Sequence, residues 1–197
     1  MANTQAQFGF SHFGYLPGGA PDYQLSKYTI QSTATAAIYF GDPVIKTGAY
    51  ITPMTNATGV GTALLGVFQG CMYTPVGGYP VWYPWYPAAA GGADAVAYVI
   101  DAPNALFKVA ALLTTITATS IGSNIGHSTG AGGTTVGGGF SSYTINHATL
   151  TANSTMPWQV VSLYPGVGNG SDTTSNYNWV IVKMNNAVKQ AGATGVI

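Results

Sequence analysis

Nowhere in this chain does an amphipathic helical period persist for ten residues. Apolar side chains come instead in short runs rich in β-branched and aromatic types: KYTIQ, AAIYFGDPVI, AYITPM, LLGVFQGCMY, AVAYVID and ALFKVAALL, then SSYTINHATL, MPWQVVSLY and NYNWVIVKMNN. Such side chains fit a pleated, half-buried surface. The Gly, Pro, Asn and Thr clusters between the runs supply turn conformations at short intervals. The pattern predicts an all-β fold, a sandwich or barrel of jelly-roll or β-tulip type with long Gly/Pro-rich loops. The best helical candidate, ALFKVAALLTTI, has the Val and Thr content of a strand. One short helix or turn is expected near residues 117–124.

The runs also organise the chain. Residues 1–26 read as an extended N-terminal arm with a turn at Pro17, Gly18 and Gly19. Residues 27–187 form the β-rich body, divisible into two small β-modules, 27–112 and 140–187, joined by the low-complexity stretch GHSTGAGGTTVGGGF. Residues 188–197 are a C-terminal tail. In YNWVIVKMN, alternation sends Trp179, Ile181 and Lys183 to one face and Val180, Val182 and Met184 to the other. Both faces are largely apolar, which predicts a central strand with Lys183 near its end.

Composition narrows function. Five Lys and five Asp are the only charged residues among 197, and neither Arg nor Glu occurs. An ordinary soluble domain carries about a quarter charged residues, so much of this surface is expected to lie against partners. Five scattered Lys cannot neutralise a run of phosphates, which argues against direct nucleic-acid binding. The apolar stretches break well before the ~20 residues of a membrane helix. The opening MANTQAQFGF has neither the basic flank nor the apolar stretch of a signal peptide, and none is expected.

No constellation for catalysis or metal binding stands out. His12, His127 and His147 fall in three different contexts without metal-ligand spacing, and the Asp residues form no paired-carboxylate or calcium-loop pattern. Asp42, before Pro43, reads as a turn residue. No Gly-x-Ser-x-Gly context selects a nucleophile, and GAGGTTVGGG lacks the Lys-Ser/Thr ending of a phosphate loop. Cys71, in an apolar run, reads as a small core hydrophobe. The sequons at Asn56, Asn153 and Asn169 are what a Thr/Ser/Asn-rich chain gives by chance. The chain is read as a non-enzyme without a cofactor.

Aromatics carry the positive signal. Phe8, Phe10, Phe13 and Tyr15 crowd the arm, and GGYPVWYPWYPAAAGG interleaves Trp82, Tyr83, Trp85 and Tyr86 with Pro80, Pro84 and Pro87. Proline at this frequency excludes a central strand and stiffens the backbone, so little entropy is lost on docking. The loop reads as a subunit-interface clamp, a sugar-stacking platform, or a loop folded onto its own core. The arm reads as lying across a surface, its own or a neighbour's.

The order of segments resembles the head decoration, or capsid cement, proteins of tailed bacteriophages. The resemblance runs through YTIQSTATAAIYFGDPVIKTG with its Gly-Asp-Pro-Val turn at 41–44, and through TALLGVFQGCMY, whose residues 64–71 resemble a family strand. It continues in AVAYVIDAPNALFKV, where 101–109 loosely matches a D-P-x-x-x-F-x-V element. It closes in NWVIVKMNNAVKQAGATGV, with paired Asn185 and Asn186 and a tail at 192–196. Members of that family usually carry more Arg, Asp and Glu.

The resemblance implies a β-rich protein without an active site on the outer surface of the virion head. It implies binding to the major capsid protein, often as a trimer, and bridging of capsid subunits. Within that expectation, Phe8, Phe10, Phe13 and Tyr15 are assigned to capsid contact, and Trp82, Tyr83, Trp85 and Tyr86 to a sister subunit or the shell. Those assignments come from aromatics on predicted loops, not from family residues. The rival readings are a carbohydrate-binding or adhesin module using the Trp/Tyr/Pro loop, and another structural virion protein of the tail or minor shell.

Overall fold

A computed structural model describes residues 2–20, 24–55, 60–89, 93–112, 114–128 and 139–190. The apolar runs become strands: β1 (Ser11–Tyr15), β2 (Ser26–Ile30), β3 (Pro43–Thr47), β4 (Tyr50–Pro53), β5 (Gly66–Tyr73), β6 (Val81–Tyr83) and β7 (Ala95–Ile100). After these come β8 (Ala105–Ala110), β9 (Asn124–Ser128), β10 (Thr144–Thr151), β11 (Trp158–Leu163) and β12 (Trp179–Met184). A single turn of 3-10 helix at Ala118–Ser120 lies where a short helix was expected. The fold is all-β.

Two antiparallel sheets pack face to face. The first has the order β1-β8-β12-β11-β9-β10, and the second β2-β7-β5-β3-β4 with β6 pairing the far half of β5. Apart from β1, the first seven strands make one sheet and the last five the other. The crossing from sheet to sheet falls at residues 101–104, so β8 belongs with the later strands and the sheets do not divide at 112. Asp101 fixes this corner. Its buried carboxylate accepts hydrogen bonds from the Ser26 and Tyr28 hydroxyls and pairs with Lys189 Nζ at 2.6 Å. The connection at 129–138 and the tail at 191–197 lie outside the described residues.

Alternation explains the layers. Strand β12 runs between β8 and β11, and Val180, Val182 and Met184 point into a core shared by both sheets. Phe107, Val109, Trp158, Val160, Ile125 and Ile145 join them from one sheet, and Val67 and Ile100 from the other. The second sheet is buried on its other face as well, where Val44, Ile51, Phe68, Cys71, Ala97 and Val99 form a second core. That sheet curls until Cα atoms of its outer strands β2 and β4 come within 8 Å of each other, without a ladder between them among the described residues.

Of the two surfaces the arm could lie across, it takes its own body's. Its β1 is the edge strand of the first sheet, paired to β8 with an irregularity between His12 and Gly14. Phe10 is fully buried and stacks on Trp158. Its N–H donates to the Gly41 carbonyl at 3.0 Å. Gly9 has φ +68°, and a Cβ there would stand 2.3 Å from the Ser141 side chain, so only glycine lets the arm enter. Further out, Asn3 Oδ1 accepts the N–H groups of Gly170 and Asp172, and its amide donates to the Asp172 carbonyl at 2.7 Å.

Candidate functional site

The eight aromatic residues singled out from sequence divide sharply. Phe10 and Tyr86 are fully buried, which removes both as surface contacts. Tyr86 exchanges backbone hydrogen bonds with Ile38 and fills the second core, where an apolar ring of that size is held by burial on all sides. Tyr15 is half-buried and packs against the shared core.

Phe8 and Phe13 belong to a cluster on the outer face of the first sheet. Phe8 meets Trp179 edge-on at 5.0 Å, and Phe13 meets Tyr164 at 6.4 Å. Lys108 projects among them, its Nζ 5.3, 5.2 and 4.6 Å from the ring centroids of Phe8, Tyr164 and Trp179. Each face-on ring offers a cation a favourable quadrupole. Partial burial among these rings holds the Lys108 ammonium below its ordinary pKa. These arm aromatics are therefore engaged with their own body, Phe13 keeping 39 % of its surface exposed.

The Pro-rich aromatic segment forms a hairpin. Strand β5 ends at Tyr73, the chain turns through residues 75–78 with the Gly78 N–H donating to the Pro75 carbonyl at 3.0 Å, and β6 returns along β5. Gly77 at φ +71° supplies the left-handed position that such a turn requires, leaving Val76 at the apex. Pro80 and Pro84 bracket β6. A strand of three residues flanked by prolines presents little free edge for another chain to pair with. What it presents is side chains.

Trp82 joins an apolar row on one face of the sheet, while Val81 and Tyr83 alternate to the other face beside Tyr73 and Cys71. The register places Val96 on β7, Met72 on β5 and Trp82 on β6 side by side, with Thr29 of β2 next in the row. A bulge at residues 69–70 resets β5 so that Met72 and Tyr98 share the face that carries Val67 and Ile100 farther along. Near Val67 that face is covered by the first sheet; at Met72 it is open. Gly70 makes room for the indole, since a Cβ there would stand 2.8 Å from Trp82 Cζ2.

Exposure decides where the surface lies. Of the twelve exposed large hydrophobic residues among those described, Met72, Val76, Tyr79, Trp82, Tyr83 and Val96 belong to this hairpin and its neighbour strand. Tyr79 and Val76 are 88 % and 79 % exposed at the tip, and Trp82 is 57 % exposed. Trp85 is half-buried, stacked on Tyr39 at 5.8 Å, and supports Tyr83 edge-on. Met72, Val76, Tyr79 and Val96 were not among the contact residues assigned from sequence. Tyr79 had a signal, its place in the same Pro-aromatic run; Met72 and Val96 had none, because their strands read as apolar on both faces.

The ionisable groups lie elsewhere. Cys71 is buried, and desolvation pushes its thiol up to about 12, so it stays a protonated hydrophobe at neutral pH. Asp42 is turned inward beneath Tyr39, whose N–H donates to Oδ2 at 2.8 Å, and burial raises its carboxyl to about 6. Among the described residues, no three His, Cys, Asp or Glu residues gather as a cation site would require. No helix among them is long and apolar enough to cross a membrane. No protein-family model, curated protein or solved structure matches this chain.

Proposed function

We propose that this chain is a structural virion protein that decorates the outside of a bacteriophage head, seating its β5–β6 hairpin on the major capsid protein and bridging capsid subunits. The observation that carries the reading is the concentration of exposed aromatic and aliphatic side chains on one proline-stiffened hairpin that carries no charged residue of its own. Exposed apolar side chains gathered in this way mark a contact surface, and Trp, Tyr and Met are the residue types that supply contact energy. The choice of a capsid as partner rests on the segment resemblance described above, as does the expectation of a trimer.

Cementing by such a surface needs no chemistry. Each bound copy buries apolar area on two neighbouring shell subunits, and pulling them apart exposes it again; ~25 cal/mol per Å2 is an upper guide to that gain. Pro75, Pro80 and Pro84 restrict the backbone of the hairpin, so docking has little left to order there.

The test compares particles assembled with and without the protein. Electron microscopy of complete particles is expected to place density for a β-sandwich on the head, with the hairpin against the shell, and particles lacking it are expected to lose their contents at lower temperature. Density on the tail, or equal resistance of the two kinds of particle to heat and osmotic shock, overturns the reading. Sedimentation of the free protein checks the trimer.

A further inference from the structure

Asparagine is followed by glycine at one place in this chain, Asn169-Gly170, in the loop between β11 and β12. Asparagine is a heat-labile residue, and most so before glycine, where no side chain hinders the backbone nitrogen from turning onto the carboxamide. Packing nevertheless requires glycine here. Gly170 has φ +84°, and a Cβ on it would stand 2.2 Å from the Trp179 indole. The Trp179 N–H also donates to the Gly170 carbonyl at 2.9 Å. The fold thus places a labile bond beside the aromatic cluster.

The arm holds both groups that would react. The Gly170 N–H, which has to lose its proton for the nitrogen to attack, donates to Asn3 Oδ1 at 3.0 Å. The Asn169 carboxamide accepts the Thr4 N–H and hydroxyl through Oδ1, at 2.7 and 3.2 Å. Asn3 is itself tied to the loop by the Asp172 N–H and carbonyl, at 3.1 and 2.7 Å. Phe8, packed edge-on against Trp179, continues the same attachment. With these contacts in place, neither the nitrogen nor the carboxamide is free to turn toward the other.

Once the arm lifts, only water is needed to complete the chemistry, and Asn169 lines an open cleft of about 300 Å3 with Thr4, Ser171 and Asp172. The Gly170 nitrogen bonds to Asn169 Cγ, its proton passes to solvent, and the carboxamide nitrogen takes up a proton and leaves as ammonia. One water then opens the resulting succinimide. Breaking the new bond to Cγ gives aspartate; breaking the bond to the backbone carbonyl carbon of residue 169 gives isoaspartate, whose backbone is longer by one methylene. That methylene shifts the loop so that the Gly170 and Asp172 N–H groups no longer converge on Asn3 Oδ1. The new carboxylate also adds a negative charge to the cleft that Asp172 lines.

We propose that Asn169 is a self-modifying site guarded by the arm: seated Asn3 and Thr4 hold back its deamidation, and when they lift, conversion to isoaspartate prevents them from seating again. The inference concerns the arm and its loop, so it stands or falls separately from the role of the hairpin.

The test incubates the full-length protein and its Asn3→Ala variant in mildly alkaline buffer, following conversion by peptide mapping and an enzymatic assay for isoaspartate. Asn169 is expected to convert slowly in the unaltered protein, and Asn3→Ala to speed it about fivefold or more, the effect of losing at least one hydrogen bond. Thr4→Pro, which removes the backbone donor to Asn169 Oδ1, gives a second variant should circular dichroism show that Asn3→Ala perturbs the fold. The isoaspartate fraction, separated by ion exchange, is expected to be cut at Phe8 by chymotrypsin faster than unmodified protein. Equal conversion rates in the unaltered protein and both variants overturn the proposal, as does conversion of another asparagine ahead of Asn169. So does an isoaspartate fraction in which Phe8 resists chymotrypsin as well as before.

Discussion

Phe10 stacks on Trp158 with ring centroids 4.0 Å apart and planes 12° from parallel, both rings fully buried. Residue 10 thereby locks the start of the chain into the centre of the sandwich. Phe10→Ala would leave a cavity beneath the indole, and a buried Phe replaced by Ala costs about 3–5 kcal/mol. The expected outcome is a loss of that size in denaturant unfolding, with displaced Trp fluorescence, in the isolated protein. A Phe10→Ala protein of unchanged stability that no longer attaches to its partner would return the arm to the role of an outward contact.

Asp42 carries a pH dependence whose direction follows from its burial. Its folded pKa is about 6, raised chiefly by desolvation while the Tyr39 N–H and the Ser141 hydroxyl pull it back. The unfolded value is ~3.9. Between these values the folded state binds more protons than the unfolded state, so the contribution of Asp42 to stability falls as pH rises from about 4 to 6 and is flat above. Asp42→Asn, which keeps the shape and an acceptor for Tyr39, is expected to gain on the order of 2 kcal/mol at neutral pH and nothing near pH 4. Chemical unfolding at the two pH values measures it. Equal effects at both would show that the carboxyl is not the titrating group.

What could be read in the sequence was what local patterning determines. Strands β5, β7, β8, β11 and β12 announce themselves in LLGVFQGCMY, AVAYVID, ALFKVA, MPWQVVSLY and NWVIVKM, because β-branched residues there have few other uses. Strand β1 was hidden: Gly14 interrupts its side-chain alternation, and its pairing with β8 is irregular at that point. In the aromatic segment, Trp82 points out and Tyr86 in, but Pro84 breaks the period between them, so no count of residues distinguishes the two. The exposure of Met72 and Val96 depends on where the first sheet stops covering the second, a tertiary fact with no local signature.

Gly70 links sequence to the contact surface at one atom. At φ +136° it stands in a conformation that suits glycine, and a Cβ would meet the Trp82 ring at 2.8 Å and the Tyr83 carbonyl at 3.0 Å. Gly70→Ala is expected to cost about 1–3 kcal/mol through strain and crowding. It should also tilt Trp82 off the sheet, shifting its emission to the red. Partner binding should then weaken more than stability alone explains. An unchanged emission maximum would mean that the indole does not rest on residue 70.

The scarcity of charge makes a prediction about the contact itself. Met72, Val76, Tyr79, Trp82, Tyr83 and Val96 contribute no ionisable group active at neutral pH, and Lys27, across from Tyr98, stands at the margin. Apolar contacts are insensitive to Debye screening, whereas exposed ion pairs weaken as the screening length falls from ~10 Å at 0.1 M salt to ~3 Å at 1 M. Binding to the partner is therefore expected to change little over that range. Trp82→Ala or Tyr79→Ala should cost roughly 2 kcal/mol or more in affinity, as central aromatic contacts do. Stability of the free protein should move by no more than about 0.5 kcal/mol, as befits exposed positions. A steep loss of binding with salt, or tolerance of both substitutions, would move the contact away from this hairpin and toward the lysines.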